Sequence, residues 1–227
     1  MRSQIVNRTQ IDDIAYKNEV LRKSIHLCSL SIPIIYYFIP KVTALYILIP
    51  LAIFSLVLDL GRYYSPLLAK YIYKYFGFML RKHEIDSKKK NLNGATYVFL
   101  SAVLVVFVFP KVIVITAFSV LIISDTLAAL IGRKFGKHKF LAKSLEGTAA
   151  FFVSACLVVL VTPKVSGEPL EYLIGFLSVA VGAIAENISY GWSDDNFAIP
   201  VSIGVVMWVS YLLLFPGLSL NLSNVPL

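Results

Sequence analysis

Apolar residues along this chain fall into long uninterrupted runs, and polar residues collect in the connections between the runs. A helix needs about 20 mostly apolar residues to cross a bilayer. Seven runs approach that length, so the pattern predicts an all-α polytopic membrane protein of about seven transmembrane helices. The runs cover residues 24–39, 42–60, 94–109, 112–131, 147–161, 170–188 and 197–215.

Basic residues mark alternate connections. The segment before the first run and the connections after the second and fourth runs hold all but three of the 21 Lys and Arg residues. The other three, Lys41, Lys111 and Lys164, each lie alone in an opposite-side connection. Because Lys and Arg are retained on the cytoplasmic side, the alternation predicts a cytoplasmic N-terminus and an outer C-terminus.

These boundaries divide the chain into three predicted parts. Residues 1–23 form a cytoplasmic N-terminal segment, 24–216 a single transmembrane catalytic domain, and 217–227 an outer C-terminal tail. Within the domain, residues 62–82 interleave aromatic and basic residues, which is typical of an amphipathic helix lying in the headgroup layer. Such a helix would anchor the protein or guide a lipid substrate.

Composition agrees with the apolar pattern. The chain is 58% hydrophobic and 15% charged, whereas soluble domains are about a quarter charged. The bilayer must therefore act as solvent, and in a prokaryote we expect the cytoplasmic membrane. The net charge of +8 follows from the basic connections, so we expect no nucleic-acid partner. A homo-oligomer is one arrangement that the sequence leaves open.

Carboxylates cluster at one membrane depth. An acidic residue inside an apolar helix is costly and is by default a functional candidate. Asp125 is the most demanding, because apolar residues flank it on both sides, and Glu186 is next. The members predicted at the cytoplasmic ends of the helices are Asp59, Asp125, Glu146, Glu186, Asp194 and Asp195.

Basic and glycine residues are predicted at the same depth. Gly132, Arg133 and Gly136 precede Lys143 and Ser144. Glycines allow close approach of a phosphate, and a helix N-terminus offers unpaired amides. Beside Asp125 and Glu146 they suit a magnesium–polyphosphate complex, although the two glycines would equally serve as a helix-packing pair.

The first helix carries a polar face. Glu19, Arg22, Lys23 and His26 follow one another at helical spacing, so they point the same way. Arg22 and Lys23 would also serve as membrane anchors. His26 lies about one turn deeper and would either join the site or bond to a neighbouring helix.

These elements together resemble the polyprenol/phytol/diacylglycerol kinase family of CTP-dependent lipid kinases, which includes dolichol kinase and phytol kinase. The matching stretches run from residue 19 to residue 200. Ser124 stands where the family usually has glycine. The family is also thought to be akin to phosphatidate cytidylyltransferases. The matching elements are Glu19-x-x-Arg22-Lys23-x-x-His26, Ser124-Asp125-Thr126 with Gly132-Arg133-x-Phe135-Gly136, Lys143-Ser144-Leu145-Glu146-Gly147-Thr148, and Glu186 followed by Asp195-Asn196-x-x-Ile199-Pro200.

The resemblance implies phosphoryl transfer from CTP to the hydroxyl of a lipid alcohol, with Mg²⁺ as cofactor. Asp125, Glu146 and Asp195 are then the predicted metal ligands. Asp125 or Glu186 would accept the hydroxyl proton, and Lys23 and His26 would complete the catalytic group. The predicted nucleotide-binding residues are Gly132, Arg133, Gly136, Lys143, Ser144 and Asn196.

Two alternatives stay open at this point. A cytidylyltransferase of a lipid phosphate would use CTP but release pyrophosphate. An ion-coupled transporter would use buried carboxylates as a relay, normally near the membrane midplane and between inverted repeats. No internal repeat is visible in this chain, and its carboxylates collect at one face. The pattern therefore favours an enzyme.

Overall fold

The computed structural model describes residues 16–77, 80, 91–189, 194–223 and 225–226. Within these ranges the chain forms helices and one short β-hairpin. The helices are α1 (16–28), α2 (Ser31–Phe38), α3 (Lys41–Tyr64), α4 (Pro66–Phe76), α5 (Gly94–Val108), α6 (Lys111–Phe135), α7 (Leu145–Val161), α8 (Pro169–Ile188) and α9 (Asp195–Leu214), and the strands are β1 (Lys139–Phe140) and β2 (Lys143–Ser144).

Helix α6 is the centre of the bundle. Its apolar stretch is 78% buried inside the protein, against 22% for α3. It packs against α2, α7 and α9, while α8 packs against α7 and α9, and α3 packs against α5. A helix that is apolar all round is buried among others, and α6 carries the buried carboxylate of Asp125, which is 2% exposed.

Within the described ranges, four helices are long and apolar enough to cross a membrane: α3, α6, α8 and α9. Helices α5 and α7 are equally apolar but shorter, at 15 and 17 residues. This composition supports an all-α membrane protein. The count of seven spans and their orientation remain predictions from the sequence.

The first predicted span, residues 24–39, is not one continuous helix. A turn at Ser29 and Leu30 separates α1 from α2. Pro33 explains the break, because proline has no amide hydrogen and its ring clashes with the carbonyl four residues earlier, here that of Ser29. Helix α1 ends in a turn in which the amides of Ser29 and Leu30 donate hydrogen bonds to the carbonyls three residues earlier, those of His26 and Leu27.

The predicted interfacial segment contains α4. Ser65 caps this helix by accepting a hydrogen bond from the amide of Leu68, and Pro66 occupies the first turn. Helix α4 buries none of its residues inside the protein, and large side chains such as Tyr71 are exposed. Of the segment 62–82, residues 78–79 and 81–82 lie outside the described part, as do residues 1–15 of the predicted N-terminal segment and 224 and 227 of the predicted tail.

Candidate functional site

Helix α1 brings its polar face against the buried aspartate of α6. Lys23 is 2% exposed, and its Nζ donates a hydrogen bond to Oδ2 of Asp125. His26 lies one turn further along, with Nε2 at 3.7 Å from the same oxygen. The helical spacing of Lys23 and His26 therefore delivers two basic side chains to one carboxylate.

A second lysine–carboxylate pair joins the hairpin to α8 and α9. Lys143 in β2 donates from Nζ to Oε1 of Glu186, which is 3% exposed. The same Nζ lies 3.7 Å from Oδ2 of Asp195 in the first turn of α9. Burial alone would lower the pKa of Lys143, but Asp195, Glu186 and Asp125 together hold that pKa above its usual range. Lys143 is therefore charged, and it contacts carboxylates from α8 and α9.

Glu19 connects α1 to the far end of α6. Its carboxylate contacts Nη2 of Arg22 at 2.5 Å and Nη2 of Arg133 at 3.1 Å. Burial would raise the pKa of Glu19, yet Arg22, Arg133 and Lys23 outweigh burial and lower it. The guanidinium of Arg133 is half exposed, so Glu19 holds a cationic group at the edge of the site where an anion can reach it.

Several buried polar atoms around the cluster lack a hydrogen-bond partner among the described residues. They are Nε2 of His26, Oγ of Ser124 and Oδ1 of Asn196. The side-chain nitrogen Nδ2 of Asn196 donates a hydrogen bond to Oδ1 of Asp194 at 2.6 Å, which fixes the orientation of the Asn196 side chain. A buried polar atom left unpaired costs about 1–3 kcal/mol, so atoms of this kind mark a place where a ligand or water would supply the missing bond.

The glycines of the predicted phosphate loop have a packing role. A Cβ on Gly132 would meet Oγ of Ser144 at 3.1 Å and Cα of Gly147 at 3.3 Å. A Cβ on Gly136 would meet the same Oγ at 2.8 Å. These glycines therefore let the end of α6 pack directly on the start of α7. Ser144 caps α7 by accepting from the amide of Gly147 at 3.2 Å. Nucleotide binding by Gly132, Gly136 and Ser144 remains a prediction.

Glu146 stays within its own loop. It accepts hydrogen bonds from the amide of His138 at 3.2 Å and pairs with the ring Nδ1 at 2.7 Å. Among the described residues, no three His, Cys, Asp or Glu side chains gather closely enough to hold a metal ion. The structure therefore does not assemble the predicted ligands Asp125, Glu146 and Asp195 into one group.

Asn187 is a site residue that the sequence did not reveal. It is fully buried, its Oδ1 accepts from the amides of Ala142 and Lys143, and its Nδ2 donates to Oγ1 of Thr148 at 2.6 Å. Its position directly after Glu186 was the one available signal. Nothing in the sequence says that an asparagine in α8 will contact a hairpin more than 40 residues earlier.

The chain is similar to several known proteins. Uncharacterized protein RP860 of Rickettsia prowazekii is 31% identical over 186 residues, which cover 81% of this chain and 90% of that protein. The chain belongs to the same family as this Rickettsia protein. No family profile matches the chain, and no solved structure matches it.

More distant relatives carry functional names. CTP-dependent diacylglycerol kinase 1 of Saccharomyces cerevisiae is 28% identical, over 86% of this chain and 74% of the yeast protein. Phytol kinase of Synechocystis is 32% identical, over 39% of this chain and 40% of that enzyme. These relatives support a lipid kinase, in agreement with the family that the motifs predicted. The kinship with cytidylyltransferases stays a prediction.

Proposed function

We propose that this protein transfers the γ-phosphoryl group of CTP to the hydroxyl of a membrane lipid alcohol, at the cytoplasmic face. The observation that carries the proposal is the convergence of two lysine–carboxylate pairs from separate elements. Lys23 of α1 meets Asp125 of α6, and Lys143 of the hairpin meets Glu186 of α8. Such a site suits phosphoryl transfer, which needs positioning and charge neutralisation more than covalent catalysis.

The lipid nature of the acceptor is supported by the surroundings of the site. Helices α3, α7 and α8 expose large apolar side chains over most of their length, so an acceptor can keep its tail in the bilayer and bring its hydroxyl to the helix ends. The named relatives act on diacylglycerol and phytol. A hydroxyl on a phytol, polyprenol or diacylglycerol tail would satisfy the same geometry.

The nucleotide phosphates would enter from the hairpin side. Lys143 is the more exposed of the two lysines, at 28% against 2% for Lys23. Arg133 is also open to solvent. Lysine and arginine bind phosphate oxygens through charge-assisted hydrogen bonds. Gly132, Gly136 and Ser144 would place backbone close to the same phosphates, and Asn196 offers a buried acceptor oxygen.

The site could hold Mg²⁺ between protein carboxylates and the phosphates of the substrate. Mg²⁺ is usually held by one or two carboxylates together with substrate phosphates. Asp125 and Asp195 both lie close enough to the Lys143 ammonium to raise the pKa of that lysine. These two aspartates would hold the ion, and it would neutralise charge on the transferred group. Glu146 is committed to His138, so its predicted role as a ligand requires the loop to rearrange.

The proposed reaction forms one bond to phosphorus and breaks another, and a carboxylate of the site takes up the proton. The lipid oxygen bonds to the γ-phosphorus, the bond to the β-phosphate oxygen breaks, and CDP leaves. Glu186 or Asp125 accepts the hydroxyl proton. Each carboxylate is paired with a lysine in the structure. Phosphates that attract these lysines would release the carboxylate as a base.

The direct test incubates purified protein in lipid with γ-labelled CTP and a panel of phytol, polyprenol and diacylglycerol. We expect the label on one lipid and CDP as the released nucleotide. Release of labelled pyrophosphate in a parallel reaction with phosphatidate, a lipid phosphate, would instead indicate a cytidylyltransferase. If the label stays on the nucleotide with every alcohol, the proposed function is wrong, and ion flux in proteoliposomes would then test a transporter.

A further inference from the structure

The hairpin that carries Lys143 is held by one buried side chain on α8. Oδ1 of Asn187 accepts from the amide of Ala142 at 2.8 Å and from the amide of Lys143 at 3.2 Å. An amide oxygen has two lone pairs, and both are used on consecutive residues. The turn and the second strand are therefore fixed to α8 next to Glu186.

The nitrogen of the Asn187 side chain fixes the orientation of the amide group. Nδ2 donates to Oγ1 of Thr148 at 2.6 Å, and that hydroxyl donates in turn to the carbonyl of Ser144 at 3.1 Å. This arrangement allows only one amide orientation, because the opposite one would put a donor against two backbone amides. The network thus joins α8, the start of α7 and the hairpin.

The backbone of the turn indicates why such a clamp is needed. Leu141 adopts φ of 49°, a left-handed conformation that is unfavourable for a non-glycine residue and persists only where the surroundings enforce it. The two amides that follow Leu141 are the pair that Asn187 binds. Without those bonds, the strained turn would relax and the second strand would lose its register.

We propose that Asn187 is a positioning residue for Lys143, acting through the hairpin backbone and not by contact with substrate. This inference rests on the proposed function only in that Lys143 is taken to bind a nucleotide phosphate. Asn187 keeps the amide of Lys143 within reach of α8, so that Nζ lies between Glu186 and Asp195. The clamp itself belongs to the fold and can be measured without substrate.

The first test measures hydrogen exchange of the peptide that contains residues 138–146 in purified full-length protein. In Asn187→Leu, the amides of Ala142 and Lys143 should exchange at least about tenfold faster, as expected for the loss of a buried hydrogen bond. Asn187→Asp keeps an acceptor oxygen and should retain the protection. Ser178→Ala is the matched control, since it removes a different buried polar group of α8, a hydroxyl whose hydrogen bond within the described part of the chain goes to the carbonyl of Ile174. Unchanged protection in Asn187→Leu would overturn the inference.

The second test separates positioning from general damage. Asn187→Leu should raise the KM for CTP about tenfold and leave the KM for the lipid alcohol unchanged, whereas a smaller fraction of folded enzyme would lower kcat alone. In a Lys143→Met background, Asn187→Leu should cause no further rise, because the two residues act through one contact. Additive effects would overturn the inference. An inactive wild type would refute the proposed function and leave the exchange result valid.

Discussion

At the scale of single residues, the buried ion pair between Lys23 and Asp125 is the central feature of the site. Both side chains are almost fully buried, and the pair joins α1 to the central helix α6. Taking one partner from a buried ion pair leaves an uncompensated charge, which costs roughly 3–5 kcal/mol. Chemistry and stability are therefore coupled at this position, and a test must separate the two.

Asp125→Asn should abolish phosphoryl transfer, with a loss of at least about 10²-fold if the carboxylate is the base, while the protein stays inserted in the membrane. It should also destabilise the fold, because the buried Lys23 would keep its charge without a carboxylate to neutralise it. The measurement is turnover together with thermal unfolding in detergent.

The double variant Lys23→Met with Asp125→Asn supplies the control. It should recover the stability that Asp125→Asn loses, since no charge is left unpaired, and it should remain inactive. If Asp125→Asn alone retained turnover, Asp125 would have no place in the mechanism.

Glu171 is a second buried carboxylate, at the opposite end of α8 from Glu186. It accepts hydrogen bonds from three consecutive backbone amides at 2.7–2.8 Å and from the hydroxyl of Tyr211 at 2.8 Å. Glu171 is fully buried, although it lies in the first turn of its helix, where an acidic side chain commonly faces water. The contacts show instead that it organises the connection between α7 and α8.

Glu171→Gln should lower the stability of the protein by about 1–3 kcal/mol, because one carboxylate oxygen becomes an NH₂ group facing donors. The catalytic constants of the remaining folded enzyme should not change, since 15 residues of helix separate it from Glu186, about 22 Å. Glu168→Gln is the control, because that exposed side chain forms no capping bond. Equal stability of the two variants would contradict this account.

At the scale of elements, α4 is a helix that packs beside α3 but that the protein itself leaves largely uncovered. It buries no residue in the protein, and its exposed side chains include Leu67, Tyr71 and Tyr75 beside Lys70 and Lys74. Aromatic rings and snorkelling lysines are typical of the headgroup layer. We therefore expect α4 to lie flat at the membrane surface.

Spin labels measure this depth directly. A label at Tyr71→Cys should lie about 15 Å shallower than one at Phe54→Cys, near the middle of α3, because half the hydrocarbon core separates the surface from the midplane. The free cysteines Cys28 and Cys156 are first replaced by serine. Equal depths at the two positions would exclude the interfacial placement of α4.

At the scale of the whole molecule, the predicted orientation can be tested across α8. The hairpin lies near the C-terminal end of this helix, and Glu168 precedes its first turn. A membrane-impermeant thiol reagent should label Lys139→Cys only from the cytoplasmic side and Glu168→Cys only from the other, because basic connections stay in the cytoplasm. Labelling of both positions from one side would show that α8 does not cross the membrane.

Local features of the chain were predictable from sequence because their causes are local. The apolar runs and flanking prolines place most helix ends within a few residues, and helical spacing alone aligns Glu19, Lys23 and His26 on one face. The first predicted span is the exception, because Pro33 divides it into α1 and α2. Length and hydropathy decide that a segment is a membrane helix, and both are written in consecutive residues.

Only the tertiary structure decided which charged side chains form ion pairs with each other. Lys23 and Asp125 are separated by 102 positions, and Lys143 and Glu186 by 43. The sequence identified these four residues as candidates but could not pair them, nor could it separate Glu146 from the cluster or add Asn187 to it. Such contacts depend on how helices pack, and packing follows from the combined shape of many side chains, so no single stretch of sequence contains it.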